Sequence, residues 1–186
     1  MSLMRLFVGL DLPGDVVGRL EALVARLRPA AAIQWSPPSN LHVTTKFIGE
    51  WAEDRLGELH AALGGVPERP PLQVRIANLG FFPDARAPRV FWCGVEAPGL
   101  SALAADTDRA TAAIGVTPET RAYSPHLTLA RIKSRLDLAP LYQAIAAAPS
   151  LDFGQFVARS FFLYRSQLQA GGSVYTKLAE FPVTKQ

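Results

Sequence analysis

His42 and Thr44 stand two residues apart in the apolar run Asn40-Leu41-His42-Val43-Thr44-Thr45-Lys46-Phe47-Ile48. His126 and Thr128 repeat the arrangement in Ser124-Pro125-His126-Leu127-Thr128-Leu129-Ala130-Arg131. Both runs read as buried β-strands, and residues two apart on a strand project to the same face. Each stretch therefore presents an imidazole beside a hydroxyl. Histidine, with an ordinary pKa of about 6.5, exists in both protonation states near neutrality. Two of them across a cleft can divide the work, one neutral as base and one cationic as acid. Threonine hydroxyls between them can donate to an anionic oxygen. The set suits displacement at phosphorus. A base deprotonates the attacking hydroxyl or water, an acid protonates the departing alkoxide, and the hydroxyls stabilise charge on the non-bridging oxygens. Motif symmetry leaves open which histidine does which.

The neighbours of the two motifs differ. Lys46 shares the His42 face by the parity of an ideal strand, where it could contact phosphate or reach solvent at the strand's end. Arg131 has the opposite parity from His126 and serves the site only if the strand ends or bulges there. A zinc site on His42 and His126 would need a third ligand, and neither motif places a carboxylate on the histidine's face. Asp11 and Glu96 are the obvious acidic candidates, and helix capping or strand termination suits them better. His60, on a helix beside Leu56 and Leu59, reads as structural. No Gly-x-x-x-x-Gly-Lys-Ser/Thr loop and no Gly-x-Gly-x-x-Gly after a strand is present, so neither metal nor nucleotide cofactor is expected.

The elements that must position these residues recur in order. Residues 5–12 read as a strand ending at Pro13-Gly14, and a helix follows over 15–28, with Val16, Val17, Leu20, Leu23, Val24 and Leu27 on one stripe and Asp15 as its cap. A loop over 30–40 holds Trp35. A helix is predicted over 52–63, a strand over 72–79, a loop over 80–88 containing Phe81, Phe82 and Arg86, a strand over 89–95 and a helix over 100–114. After the second motif come a short helix over 138–148 and strands near 156–157, 161–167 and 174–178, the last two joined by a turn at Gly171-Gly172. Gly9-Leu10-Asp11-Leu12-Pro13-Gly14 aligns without gaps to Gly94-Val95-Glu96-Ala97-Pro98-Gly99 at an offset of 85, and the histidines are offset by 84. Strand, turn, helix and His-x-Thr strand thus occur twice. The expected fold is α+β and bilobal, with a pseudo-twofold axis, two antiparallel-type sheets lining a central cleft and helices outside. The whole chain, 1–186, is expected to form one domain, with repeat lobes near 1–88 and 89–186 and room for C-terminal strands to cross between them.

A formal net charge of +3 is a mild basic bias, compatible with an anionic partner without naming one. Cys93 is the sole cysteine, which rules out an internal disulfide and a cysteine-based zinc cluster and favours a reducing compartment. No apolar stretch is long enough to span a bilayer and no leader is evident, so a cytoplasmic location is expected.

With the paired motifs in view, the sequence resembles the two-histidine phosphoesterase superfamily, and within it the RNA 2′,3′-cyclic phosphodiesterases once described as 2′-5′ RNA ligases. The resemblance rests on residues 5–13, on Asn40-Leu41-His42-Val43-Thr44 with Lys46-Phe47-Ile48-Gly49-Glu50, on residues 125–131, and on Leu163-Tyr164-Arg165-Ser166 and Tyr175. It implies hydrolysis of a 2′,3′-cyclic phosphate at an RNA 3′ end to a 2′-phosphate, with ligation as the reverse chemistry. It further implies His42 as proton donor, His126 as proton acceptor, and Thr44, Thr128 and Arg131 as phosphate contacts. The expected partner is an RNA 3′ end, tRNA fragments included, met by a monomer. Trp35, Phe81, Phe82 and Arg86 are candidates for stacking on bases, with Arg165 and Arg121 extending a basic rim. Two other readings stand beside this one. The same site could open a small cyclic nucleotide or an ADP-ribose cyclic phosphate, or the chain could be an RNA-binding module whose catalysis is incidental.

Overall fold

Alternation of side chains along β1 (Leu3–Leu10) gives it one buried face, Met4, Leu6, Val8 and Leu10, and one face carrying Leu3, Arg5 and Phe7. The structure, a computed structural model, describes residues 2–170 and 172–184. After β1 comes α1 (Gly14–Leu27), whose stripe Val16, Leu20, Leu23, Val24 and Leu27 is buried. Each such side chain contributes about 1.5–3 kcal/mol on burial. Asp15 does not cap this helix. Its carboxylate pairs instead with Arg19 one turn on, and the Pro13 carbonyl accepts from the amides of Val16 and Val17.

The chain then runs through β2 (Gln34–Trp35), β3 (Val43–Ala52), α2 (Leu56–Gly64), β4 (Leu72–Phe82), β5 (Val90–Glu96), α3 (Leu100–Ala112), β6 (His126–Arg131), α4 (Ala139–Ala146), β7 (Asp152–Ala158), β8 (Ser160–Gln169) and β9 (Gly172–Pro182). Three differences from the sequence expectation bear on the site. The second helix begins at Leu56 because residues up to Ala52 continue β3 and Glu53–Arg55 form a 3₁₀ turn. Phe81 and Phe82 extend β4, opposite Phe91 and Val90, in place of opening a loop. Trp35 pairs with Ala130 in the short strand β2. The hairpin pairing of β8 with β9 reaches Gln169 and Gly172, and Gly171 lies outside the described residues.

Two antiparallel sheets result, one ordered β3-β1-β8-β9 and the other β2-β6-β5-β4-β7. Each draws strands from both halves of the chain: β8 and β9 complete the sheet of β1 and β3, and β4 joins the sheet of β5 and β6. The core strands and the helices share one continuous apolar cluster. Among the described residues no helix is long and apolar enough to cross a membrane.

The two repeats superpose by strand register with one adjustment. Gly9 lies opposite Thr44, and Trp92 lies opposite Thr128. The equivalent of Gly9 is therefore Trp92, two residues before Gly94. In consequence Asp11 and Glu96 are not counterparts. Asp11 sits beside His42, whereas Glu96 pairs with Arg75 in an exposed cluster with Asp152.

Candidate active site

Both His-x-Thr strands contain a bulge at the same place. In β3, Val8 faces Lys46 and Gly9 faces Thr44, which leaves Thr45 as the extra residue. In β6, Phe91 faces Ala130 and Trp92 faces Thr128, which leaves Leu129 extra. A bulge reverses the parity of all that follows it. Val43, Thr45, Lys46 and Ile48 are accordingly buried, and Thr44 and Phe47 share the open face. Leu127, Leu129, Ala130 and Ile132 are buried, and Thr128 and Arg131 share the open face. The third residue after each threonine, Phe47 in one repeat and Arg131 in the other, is thus brought beside its motif.

A bulge interrupts the ladder, and nearby carbonyls must find partners elsewhere. Here they find them in the opposite repeat. The Tyr123 hydroxyl donates to the Thr44 carbonyl at 2.9 Å, and the Ser36 hydroxyl donates to the Thr128 carbonyl at 2.8 Å. These reciprocal bonds join the segment ahead of each motif to the threonine of the other.

The two imidazoles are fixed in the same manner. His42 Nδ1 lies 2.7 Å from the Asn40 carbonyl and His126 Nδ1 lies 2.8 Å from the Ser124 carbonyl. A carbonyl can only accept, so Nδ1 carries the hydrogen in both rings and Nε2 is the nitrogen left for proton exchange. His42 Nε2 is 2.8 Å from Thr44 Oγ1.

Their surroundings differ. The His42 ring packs on Phe7 at 4.5 Å between centroids, meets the edge of Tyr175 at 5.1 Å, and lies 6.0 Å from Tyr164. Burial pushes its pKa below the ordinary imidazole value; the Asn40 carbonyl and the Asp11 carboxylate work against that fall, and the His126 charge adds to it. Asp11 is itself ion-paired with Lys177. Asp11, Asn40, His42, Tyr164, Tyr175 and Lys177 line a cavity of about 370 Å³. The Tyr164 hydroxyl in that wall and the indole N–H of Trp92 in the other sheet are buried without a partner among the described residues. His126 meets the edge of Phe82 at 5.0 Å, and Phe82 in turn leans on Trp92 at 5.2 Å. The Trp92 ring lies flat across β4 because residue 80 is glycine, and a side chain there would collide with it.

The other expected residues divide. Lys46 does not reach the open face. The bulge turns it into the core, where its ammonium lies 2.7 Å from Asp108, 3.5 Å from Glu119 and 2.7 Å from the Thr117 carbonyl. Burial works to raise the Asp108 carboxyl, but Lys46 and the Glu119 amide together hold it below its ordinary value. Trp35 and Phe81 are half-buried against the core. Trp35 donates to the Ala31 carbonyl and meets Phe91 edge-on, and Phe81 stacks on Phe91 at 4.9 Å. Phe82 alone of that aromatic set touches a motif histidine. Arg165 is paired with Leu6 and so lies on the face away from Tyr164, and His60 packs against Phe181. Cys93 is buried, which pushes its thiol up to about 12.

Phe47, 57% exposed on the open face, went unnoticed in the sequence because ideal parity assigns it to the core. The spacing Thr44 to Phe47, equal to that of Thr128 to Arg131, was the available signal. Nothing in the sequence marks Tyr123 and Ser36 as partners across the seam.

Two antiparallel sheets, each carrying a His-x-Thr motif beside a bulge, define a two-histidine phosphoesterase. The chain belongs to the LigT-like phosphoesterase family, whose model matches residues 10–92 and again 94–175. It is 30% identical over 178 residues to the RNA 2′,3′-cyclic phosphodiesterase of Methanocaldococcus jannaschii, covering 96% of this chain and 100% of that one. Among solved structures, E. coli LigT in its apo form matches with a TM-score of 0.81 at 26% identity over the full length of both chains. The same protein complexed with 3′-AMP matches with a TM-score of 0.80 at 26% identity, covering 99% of this chain and 100% of that one.

Proposed function

We propose that the protein hydrolyses 2′,3′-cyclic phosphates at RNA 3′ ends to 2′-phosphates, with His42 and His126 as acid and base. The observation that carries this reading is the matched pair of imidazoles, each held through Nδ1–H by a carbonyl two residues upstream and each beside a threonine on an open sheet face. Water attacks phosphorus as His126 Nε2 takes its proton. The bond from phosphorus to the 3′ oxygen breaks, and His42 Nε2–H protonates that oxygen. Thr44 and Thr128 donate to the non-bridging oxygens, and Arg131 balances their charge. Burial lowers the His42 pKa, and a phosphodiester anion bound beside the ring acts in the opposite direction, favouring the protonated form its role requires. With a 5′-hydroxyl in place of water the same steps, in the same direction, break the bond to the 3′ oxygen and leave a 2′-5′ linkage.

The relatives' activity on RNA cyclic phosphates and the 3′-AMP complex of E. coli LigT support the substrate class. The proposal includes action as one domain of two interlocked repeats, as a monomer, in the cytoplasm, on RNA 3′ ends that include tRNA fragments. The test is turnover of a short RNA with a 2′,3′-cyclic phosphate end in excess EDTA, resolving the two product isomers. Formation of the 2′-phosphate is expected. A 3′-phosphate product would overturn the role given to His42, and no turnover of this RNA would overturn the RNA substrate assignment.

A further inference from the structure

Five cations gather at one end of the second sheet, next to the phosphate contact proposed above. Arg86 and Arg89 lie on the loop over 83–89, Arg131 ends β6, and Lys133 and Arg135 follow it. The two segments run side by side. The Ile132 amide donates to the Arg89 carbonyl at 2.9 Å, Arg131 is paired with Val90, and the Tyr142 hydroxyl ties down the Ala85 carbonyl at 2.7 Å. All five cations are exposed, and among the described residues none has an ion-pair partner.

Only two carboxylates lie in these segments, and both serve the backbone. Asp84 accepts from the amides of Arg86 and Ala87, and Asp137 accepts from that of Ala139. The local excess of three positive charges equals the net charge of the whole chain. Elsewhere, Arg19, Lys46, Arg55, Arg69, Arg75, Arg109 and Lys177 are all paired with carboxylates. Arg5, Arg26, Arg28, Arg121, Arg159 and Arg165 also have no ion-pair partner among the described residues, but the patch places five such cations on two adjoining segments beside the active site, which suits an anion longer than one phosphate.

We propose that this surface, loops 83–89 and 132–137 together with Arg131, holds the backbone phosphates of a single-stranded RNA upstream of its cyclic end. The inference rests on the reaction proposed above and names the surface that would make an RNA 3′ end a better substrate than a cyclic mononucleotide. The patch reads charge, because beyond Phe82 it offers no free aromatic plane, and it therefore favours length over sequence.

The experiment measures kcat/KM for a short single-stranded RNA with a 2′,3′-cyclic phosphate end and for the matching cyclic mononucleotide, over a series of salt concentrations. The oligonucleotide is expected to be preferred about tenfold or more at low salt. Its log–log salt slope is expected to be steeper by about 2, the release from three single-strand phosphates. Arg89→Gln, Lys133→Gln and Arg135→Gln combined should remove most of that preference and flatten the slope, with mononucleotide turnover unchanged as evidence of an intact fold. Retention of preference and slope in the triple variant would overturn the track, as would a wild type indifferent to length. A duplex with the same end, turned over as fast as the single strand, would overturn the assignment to single strands. Failure of wild type on both substrates would instead remove the underlying reaction, and the track with it.

Discussion

The two His-x-Thr arms have the same frame and different furnishings. Each has an imidazole pinned through Nδ1, a bulge one residue past the threonine, and a carbonyl held by a hydroxyl of the other arm. The first arm places Phe47 three residues beyond its threonine and encloses His42 in Phe7, Tyr164 and Tyr175. The second places Arg131 there and leaves His126 against the edge of Phe82 alone. Duplication supplied two equal pairs, and what surrounds them made one apolar and the other cationic. A cyclic nucleotide has the same division: a planar base and ribose on one side, a phosphate on the other. In the proposed reaction the shared frame sets proton-transfer geometry, and the third residue of each arm sets what is held.

The largest test of that shared frame is to remove its chemistry. His42→Ala and His126→Ala are each expected to lower kcat by about 10²–10⁴ while the fold persists, since general acid–base catalysis is typically worth that much. A double variant as active as wild type would end the comparison. The next test separates the arms. Arg131→Ala should cost about 10–100-fold in kcat/KM on every cyclic phosphate, the worth of charge-assisted bonds to an anion. Phe47→Ala should cost about tenfold, mostly in KM and only for substrates bearing a base, in keeping with about 1–3 kcal/mol per stacked base. Equal losses with a base-free cyclic phosphate would show that the arms do not divide the substrate.

Smaller effects sharpen the picture. Tyr123→Phe removes one cross-seam hydrogen bond of about 1 kcal/mol and should lower kcat about threefold to fivefold with KM unchanged. Ser36→Ala should do the same, and an unchanged kcat in both would reduce the reciprocal bonds to simple packing. The finest test is a pH profile. Asp11 raises the His42 pKa, so Asp11→Asn should move one limb of the kcat/KM profile to lower pH. If His42 is the acid, the alkaline limb moves, because the protonated ring is lost sooner as pH rises. Movement of the acidic limb would make His42 the base and exchange the two roles.

Much of this was legible in the sequence. The His-x-Thr spacing, the near-constant offset and the amphipathic stripe of α1 follow from local periodicity, and the two-sheet α+β fold follows from them. Arg131 was legible conditionally, since its parity required a bulge. The same bulge defeated the reading of Lys46 and hid Phe47, because an extra residue leaves no mark in an apolar run whose members suit either face. Trp35 and Phe81 were left open, between base stacking and lid packing, for another reason. An aromatic beside a turn reads as exposed until the partner that covers it, here Phe91 from the next repeat, is known. Register between distant strands separates Asp11 from Glu96, and adjacency in sequence cannot supply it.

The order β3-β1-β8-β9 has a consequence during synthesis. β1 and β3 leave the ribosome early and pair as neighbours, but the other side of β1 waits for β8, whose Tyr164 follows His42 by more than a hundred residues. Until then Phe7, Phe47 and the unpaired edge of β1 face water, and long-range pairing of this kind is slow to form and open to association with other chains. The nascent chain thus carries one of its histidines for most of its growth without the tyrosines that wall it in, and RNA-end chemistry must wait until the last strands dock.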